Sequence, residues 1–224
     1  MRILVILGSP RRTGFSAGLA KVAQERAAAL GAQVETVVLA DHTINDCLGC
    51  FTCLRTGACP LADDMPALLE KVKAADGFVV VSGVRNESVC ALYKRFYERI
   101  TYTLGFPLHL EDKHTLALSS VGFMGGKTVS RRLLGLQDVC HTRLSGHLHF
   151  TTGIPTRPVD AKLRARVDAA VARLVRRVGK KAGRNPFDAL SFATDRFIMR
   201  NFVYKKHPDV YAAVVTSWRA KGYL

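Results

Sequence analysis

No apolar run in this 224-residue chain approaches the length of a membrane span, which excludes a membrane-spanning helix. The opening MRILVILG is apolar but short, and no small-residue cleavage site follows, so it reads as a first strand rather than a signal peptide. Internal repeats and low-complexity segments are missing, and nearly half of the residues are apolar, so a globular chain is expected over a solenoid or a disordered one. The glycine-bearing loop after the first strand has neither the Lys-Ser/Thr pair of a Walker loop nor a G-x-G-x-x-G pattern. The histidines lack ligand-like pairing. His147 and His149 alternate on one strand and share a face, which is thin ground for a metal.

Acidic residues are also few. Eighteen Asp and Glu face thirty-three Lys and Arg, a formal charge of +15. Between Arg157 and Lys206 fourteen Lys and Arg meet four Asp, so the excess is concentrated late in the chain. Such a charge favours anionic partners, but no nucleic-acid recognition signature accompanies it, and a solvated basic helix face explains it. A cytoplasmic setting is expected, where clustered cysteines serve metals or redox chemistry more often than disulfides.

What is present is an alternation of apolar runs and helical patterns. Strands are expected at Arg2–Leu7, Gln33–Leu39, Gly77–Val81, Thr115–Val121 and Leu144–Thr151. Helices are expected at Gly14–Leu30, Asp64–Ala74 with Asp63 or Asp64 as N-cap, Ser88 to about Leu104, and Gly126–Val139. The alternation implies an α/β fold, a doubly wound five-stranded parallel sheet of order 2-1-3-4-5. A long helix from Asp160 places Leu163, Val167, Val171, Leu174 and Val178 on one face and breaks at GKKAGRNP. The tail beyond is aromatic and helical, with a second break at His207-Pro208.

In that sheet order a ligand sits at the carboxyl ends of strands one and three. The loop GSPRRTGFSAG, Gly8 to Gly18, offers backbone N–H groups, hydroxyls and guanidinium at a helix N-terminus, which suits a mononucleotide phosphate and FMN in particular. The turn Ser119–Gly126 is a candidate third contact, or a plain βα turn. The stretch NDCLGCFTCLRTGACPLADDM holds Cys47, Cys50, Cys53 and Cys59 in the spacing C-x2-C-x2-C-x5-C. Three thiolates within seven residues, closed by a fourth, suit a 4Fe-4S cubane. Zinc, which favours separated C-x2-C knuckles, and unligated thiols remain the alternatives. Cys90 and Cys140 fall outside the spacing and read as small buried hydrophobes.

These motifs resemble a known group. GSPRRTGFSAGL is similar to the phosphate loop of the flavodoxin-like NADPH-dependent FMN reductases. CLGCFTCLRTGACPLADDM resembles the compact cysteine motif of the iron–sulfur flavoproteins within that group, and KAADGFVVVSGV…SVCALYKRFYERI its third strand and following helix. The resemblance covers about Met1 to Thr151. It implies FMN held non-covalently, its phosphate on Ser9, Arg11, Thr13, Gly14 and Ser16 and its ring against the loop after strand three, at Val84, Arg85 and Asn86. The family's usual Pro-Val-Tyr-Phe-Gly loop is replaced here by Gly83-Val84-Arg85-Asn86-Glu87, and its Asn-Thr by Phe15-Ser16.

The resulting expectation is an FMN-dependent oxidoreductase or electron-transfer flavoprotein in which a 4Fe-4S cluster on the four cysteines passes single electrons to FMN. No acid–base catalytic residue stands out. NAD(P)H or ferredoxin is the implied donor class. The rivals are a cluster-free NAD(P)H-dependent FMN or quinone reductase, and a basic, cysteine-bearing redox-sensing module. Residues 1–183 are expected to form the flavodoxin-like FMN-binding domain, with the cysteine-rich loop at 45–64, and residues 184–224 a helical extension. Phe187, Phe192, Phe197, Phe202, Tyr204, Tyr211 and Trp218 are many aromatics for an appendage in water, so the tail is expected to pack across another subunit, as a homodimer or a dimer of dimers. Membrane-surface binding is the alternative for that tail.

Overall fold

The computed structural model describes residues 1–123, 134–153 and 158–224. Strands β1 (Arg2–Leu7), β2 (Gln33–Val38), β3 (Gly77–Arg85), β4 (Ser88–Val89), β5 (His114–Val121) and β6 (Arg143–Thr151) form one sheet of order β2-β1-β3-β5-β6, with β4 hairpinned onto β3. With that two-residue strand set aside, the five parallel strands run in the order 2-1-3-4-5. Registers such as Val5↔Thr36, Val5↔Val79 and Val79↔Leu116 fix the neighbours.

The strands are apolar almost without interruption because both faces are covered, and side chains alternate between the two. Ile3, Val5, Leu7, Val79, Val81, Leu116 and Leu118 share one buried cluster with residues of α1 (Phe15–Ala29) and α5 (Ala161–Gly179). Leu4, Ile6, Phe78, Val80 and Ala117 turn to the other face, beneath α3 (Met65–Ala74) and α4 (Ala91–Ile100). Asp160 caps α5 by accepting a bond from the Leu163 N–H at 2.8 Å, and the five apolar positions read from its sequence are all buried.

One local outcome departs from the sequence expectations. The segment expected to open a helix at Ser88 instead pairs Ser88 with Arg85 and Val89 with Val84, so α4 begins only at Ala91. Asn86 and Glu87 both adopt positive φ (47° and 56°), the backbone of a tight two-residue hairpin that an Asn-Gly sequence would have advertised. At the start of α3, Asp64 holds the N-cap position without capping through its side chain. The Asp63 carboxylate instead accepts the Met65 N–H at 3.1 Å. The expected helix Gly126–Val139 lies largely outside the described residues, and what is described of it, from Leu134 on, is turn-rich.

The tail comprises α6 (Pro186–Ile198), a wide turn at Met199–Tyr204, and α7 (Ala212–Ala220). It folds back on its own chain. Tyr204, Val214, Val215 and Trp218 are buried together with Leu54, from the short helix α2 (Thr52–Thr56), and Leu108. The Trp218 indole N–H donates to the Phe106 carbonyl at 2.8 Å, and the Ser217 hydroxyl to the Pro107 carbonyl at 2.7 Å. Phe187, Phe197 and Phe202 stay exposed. The aromatic excess therefore divides between an internal cluster and a bare surface. Among the described residues no helix is long and apolar enough to cross a membrane.

Candidate functional site

The chain leaves β1 at Gly8, whose N–H bonds the Val81 carbonyl at 2.7 Å and so keeps the loop against β3. A Cβ at Gly8 would meet Tyr93 at 2.8 Å, so only glycine fits under that ring. The Gly8 carbonyl in turn accepts from the Ser82 hydroxyl at 3.4 Å and from the Cys90 thiol. Ser9 then orders the turn by accepting the Arg11 N–H at 3.2 Å. Gly14 stands at the N-cap of α1 with φ +119°, a conformation L side chains rarely adopt, and no side chain caps the helix. The first N–H groups of α1 are thereby left for whatever occupies the space before them.

That space is a cavity of about 370 Å³ at the carboxyl ends of β1, β3, β5 and β6. It lies where strand order reverses between β1 and β3. Ser9, Arg11, Thr13, Gly14, Ser16, Val84 and Arg85 line it, seven of the eight cofactor positions read from the sequence. Asn86, at the hairpin turn, is outside the lining. The two neighbouring arginines differ. Arg12 turns to Asp41, with Nε 2.6 Å from Oδ1, whereas Arg11 has no ion-pair or hydrogen-bond partner for its side chain among the described residues.

Sequence reasoning left the far wall incomplete. Ser120, inside the candidate turn Ser119–Gly126, lines the cavity and hydrogen-bonds Ser16 across it at 3.0 Å. Its neighbour Ser119 points the opposite way, onto His149 Nδ1 at 3.0 Å. Residues 124–126 of that turn lie outside the described residues. Thr152 and Gly153 also line the cavity and were missed. The available signal was a Thr-Gly pair directly after the last strand, the position at which each parallel strand delivers a loop to the same edge.

The second site is the cysteine loop. All six cysteines are free. Cys47, Cys50, Cys53 and Cys59 line one narrow cavity of about 20 Å³, together with Arg99, Tyr102 and Thr103. Two paired stems close the loop. Thr43 and Asp64 exchange bonds at 2.7 and 3.0 Å, and the Asn45 N–H donates to Asp63 at 2.9 Å. Burial, and then the charges of Cys59 and Cys47, push the Cys53 thiol up to about 11, while hydrogen bonds from Thr52 lower that of exposed Cys50. Among the described residues no group of three or more His, Cys, Asp or Glu side chains is arranged to hold a single metal ion. The donor set still suits a soft, thiolate-ligated centre: four cysteines line one cavity, and the charges of the other three help to raise the Cys53 thiol, a repulsion that a bound cationic core would relieve. Cys90 and Cys140 are buried away from this cavity, and burial holds the Cys140 thiol at about 12.

An open parallel sheet with a phosphate-type loop at its switch point defines the flavodoxin-like class. Solved structures agree on the fold. A flavone reductase superposes with TM-score 0.63 at 19% identity, covering 83% of this chain and 66% of its own. An NAD(P)H:quinone oxidoreductase from Methanothermobacter marburgensis superposes with TM-score 0.59 at 17% identity, covering 80% and 97%. The family model described as NADPH-dependent FMN reductase matches residues 1–152, and the chain belongs to that family. It is accordingly a flavin-dependent oxidoreductase whose cofactor is FMN. Among curated relatives, an iron–sulfur flavoprotein of Methanocaldococcus jannaschii is 37% identical over 134 residues, 59% of this chain and 69% of the relative. Another, from Archaeoglobus fulgidus, is 36% identical over 100 residues, 45% of this chain and 46% of the relative.

Proposed function

We propose that this chain is an electron-transfer FMN oxidoreductase in which Cys47, Cys50, Cys53 and Cys59 hold a 4Fe-4S cluster that exchanges single electrons with FMN. The observation that carries the reading is the convergence of those four thiols on one cavity of a chain from an FMN-binding family. Two relatives named as iron–sulfur flavoproteins support it. FMN can hold one or two electrons and so links one-electron and two-electron partners.

The chain's own residues supply binding and orientation. Ser9, Thr13 and Ser16 offer hydroxyls, Gly14 leaves the α1 N–H groups uncovered, and Arg11 brings an uncommitted positive charge; together they suit the FMN phosphate. Val84 and Arg85, with Asn86 at the turn, suit the flavin edge, Arg85 supplying a cation in place of an aromatic wall. Residues 1–183 would form the FMN-binding domain, with the cysteine-rich loop at 45–64, and residues 184–224 a helical extension. NAD(P)H or ferredoxin would feed the flavin in the cytoplasm. Exposed Phe187, Phe197 and Phe202 would seat a second copy in a homodimer or a dimer of dimers.

The test is iron and acid-labile sulfide per chain after anaerobic reconstitution, with FMN measured alongside. About four of each supports the cluster, by its stoichiometry. Iron near zero with FMN retained overturns it and leaves a cluster-free reductase.

A further inference from the structure

One side chain joins the two ends of the cysteine loop. Arg99, near the end of α4, is 2% exposed, and the side chain of its partner Asp63 is fully buried. Nη1 donates to Asp63 Oδ2 at 2.7 Å and to the Asn45 carbonyl at 3.1 Å, and Nη2 donates to Asp63 Oδ1 at 3.1 Å. Asn45 precedes the first cysteine and Asp63 follows the last, so one guanidinium ties the loop's entry to its exit. The fork is used only in part. Nε is buried and has no acceptor among the described residues. A buried donor left unmade is costly and needs an explanation, of which an unfilled acceptor beside it is one. Arg99 also lines the cavity on which the four cysteines converge. Burial works against its charge, yet the bonds to Asp63 and the charges of Cys59 and Cys47 outweigh it and raise the guanidinium's pKa, so Arg99 lies within electrostatic reach of the thiols.

We propose that Arg99 is a positioning residue that also sets the potential of the cysteine site. Oriented by Asp63, it would direct its Nε–H and a fixed positive charge at the sulfurs of the centre that Cys47, Cys50, Cys53 and Cys59 hold. The inference rests on the cluster reading proposed above. A thiolate-ligated cluster is anionic and becomes more so on reduction. A fixed cation and an N–H···S bond therefore stabilise the reduced form more than the oxidised one, and charge and hydrogen bonding to sulfur are the levers that set such potentials. Asp63 opposes this with its negative charge while holding the guanidinium in place.

The two ends of the pair give a test by sign. Wild type, Arg99→Gln and Asp63→Asn are reconstituted anaerobically, and cluster reduction is followed by EPR in a mediated titration, with the flavin potential as internal control. Arg99→Gln should make one-electron reduction at least tenfold less favourable, about 59 mV for one electron. Asp63→Asn should make it more favourable. A purely structural strut predicts that both variants loosen the loop, admit water and shift in the same direction. Shifts of one sign, no shift in either, or loss of iron from both variants while wild type loads would overturn the proposal. If one variant fails to load, the sign in the other decides. A wild type without iron overturns the cluster reading itself, and this inference with it.

Discussion

The cavity over the phosphate loop and the cavity among the cysteines are built by opposite means. The first is made of strand ends: β1, β3, β5 and β6 deliver Ser9, Val84, Ser120 and Thr152 to one edge, and backbone bonds such as Gly8 N–H to Val81 fix them there. The second has no sheet beneath it. A loop between β2 and α3 is gathered by a buried Arg99–Asp63 pair on one side and by the packing of α2 against α7 on the other. A site framed by parallel strands is preorganised by topology. A site gathered by an ion pair, two hydrogen-bonded stems and helix packing depends on contacts that the sheet does not reinforce.

The sharpest way to break that contrast is Asp63→Ala. Removing one partner of a buried, bidentate pair costs about 3–5 kcal/mol, because the remaining charge is left uncompensated. A lowered Tm with FMN affinity retained in the folded fraction is the expected outcome, read by thermal melts and flavin titration. Concurrent loss of FMN would show that the two regions are not separate. The same pair makes a pH statement. Burial alone would raise the Asp63 carboxyl, but bonds from Arg99 and from the Asn45 and Met65 N–H groups outweigh it and hold the carboxyl below the ordinary aspartate range. Its contribution is therefore complete above the unfolded aspartate pKa and is lost as pH falls through the lower folded value. Wild type should lose Tm on acidification more steeply than Asp63→Ala does.

A smaller effect sharpens the other side. Hydrogen bonds to charged groups are worth about 1.5–3 kcal/mol, so Arg11→Glu should weaken FMN by roughly one to two powers of ten and leave iron content unchanged. Gly8→Ala drives a methyl into Tyr93 and should cost about 1–3 kcal/mol of stability by overpacking, measured by denaturant unfolding. Arg12→Ala should do least. Its pair with Asp41 is exposed on both sides, and such pairs contribute about 0–1 kcal/mol, so FMN affinity within a few-fold of wild type is the expected titration result.

The loop after β1 was readable in sequence because its signals are local: an apolar run, then Gly, Ser and Pro, then a helix. The cysteine spacing was local as well. What held the cysteines was not. Asp63 and Arg99 lie 36 residues apart, and neither neighbourhood advertises the other. Arg99 read as one more cation on a helix, although it is among the largest fully buried side chains of the chain. The β3–β4 hairpin was hidden because its turn is Asn86-Glu87, and nothing in a glutamate announces a positive φ. The tail's aromatics gave the correct sense of an apolar surface needing cover, but not which surface. Part of the answer is Leu54, inside the cysteine loop itself.

That last contact sets an order of events during synthesis. Leu54 emerges from the ribosome about 160 residues before Trp218, the side chain that shares its buried cluster. At typical elongation rates of about 5–20 residues per second, the cysteines stay open on that side for roughly 10–30 s before α7 can close over α2. Over that interval Leu54, buried in the finished fold, has no cover from the tail and is free to make non-native contacts.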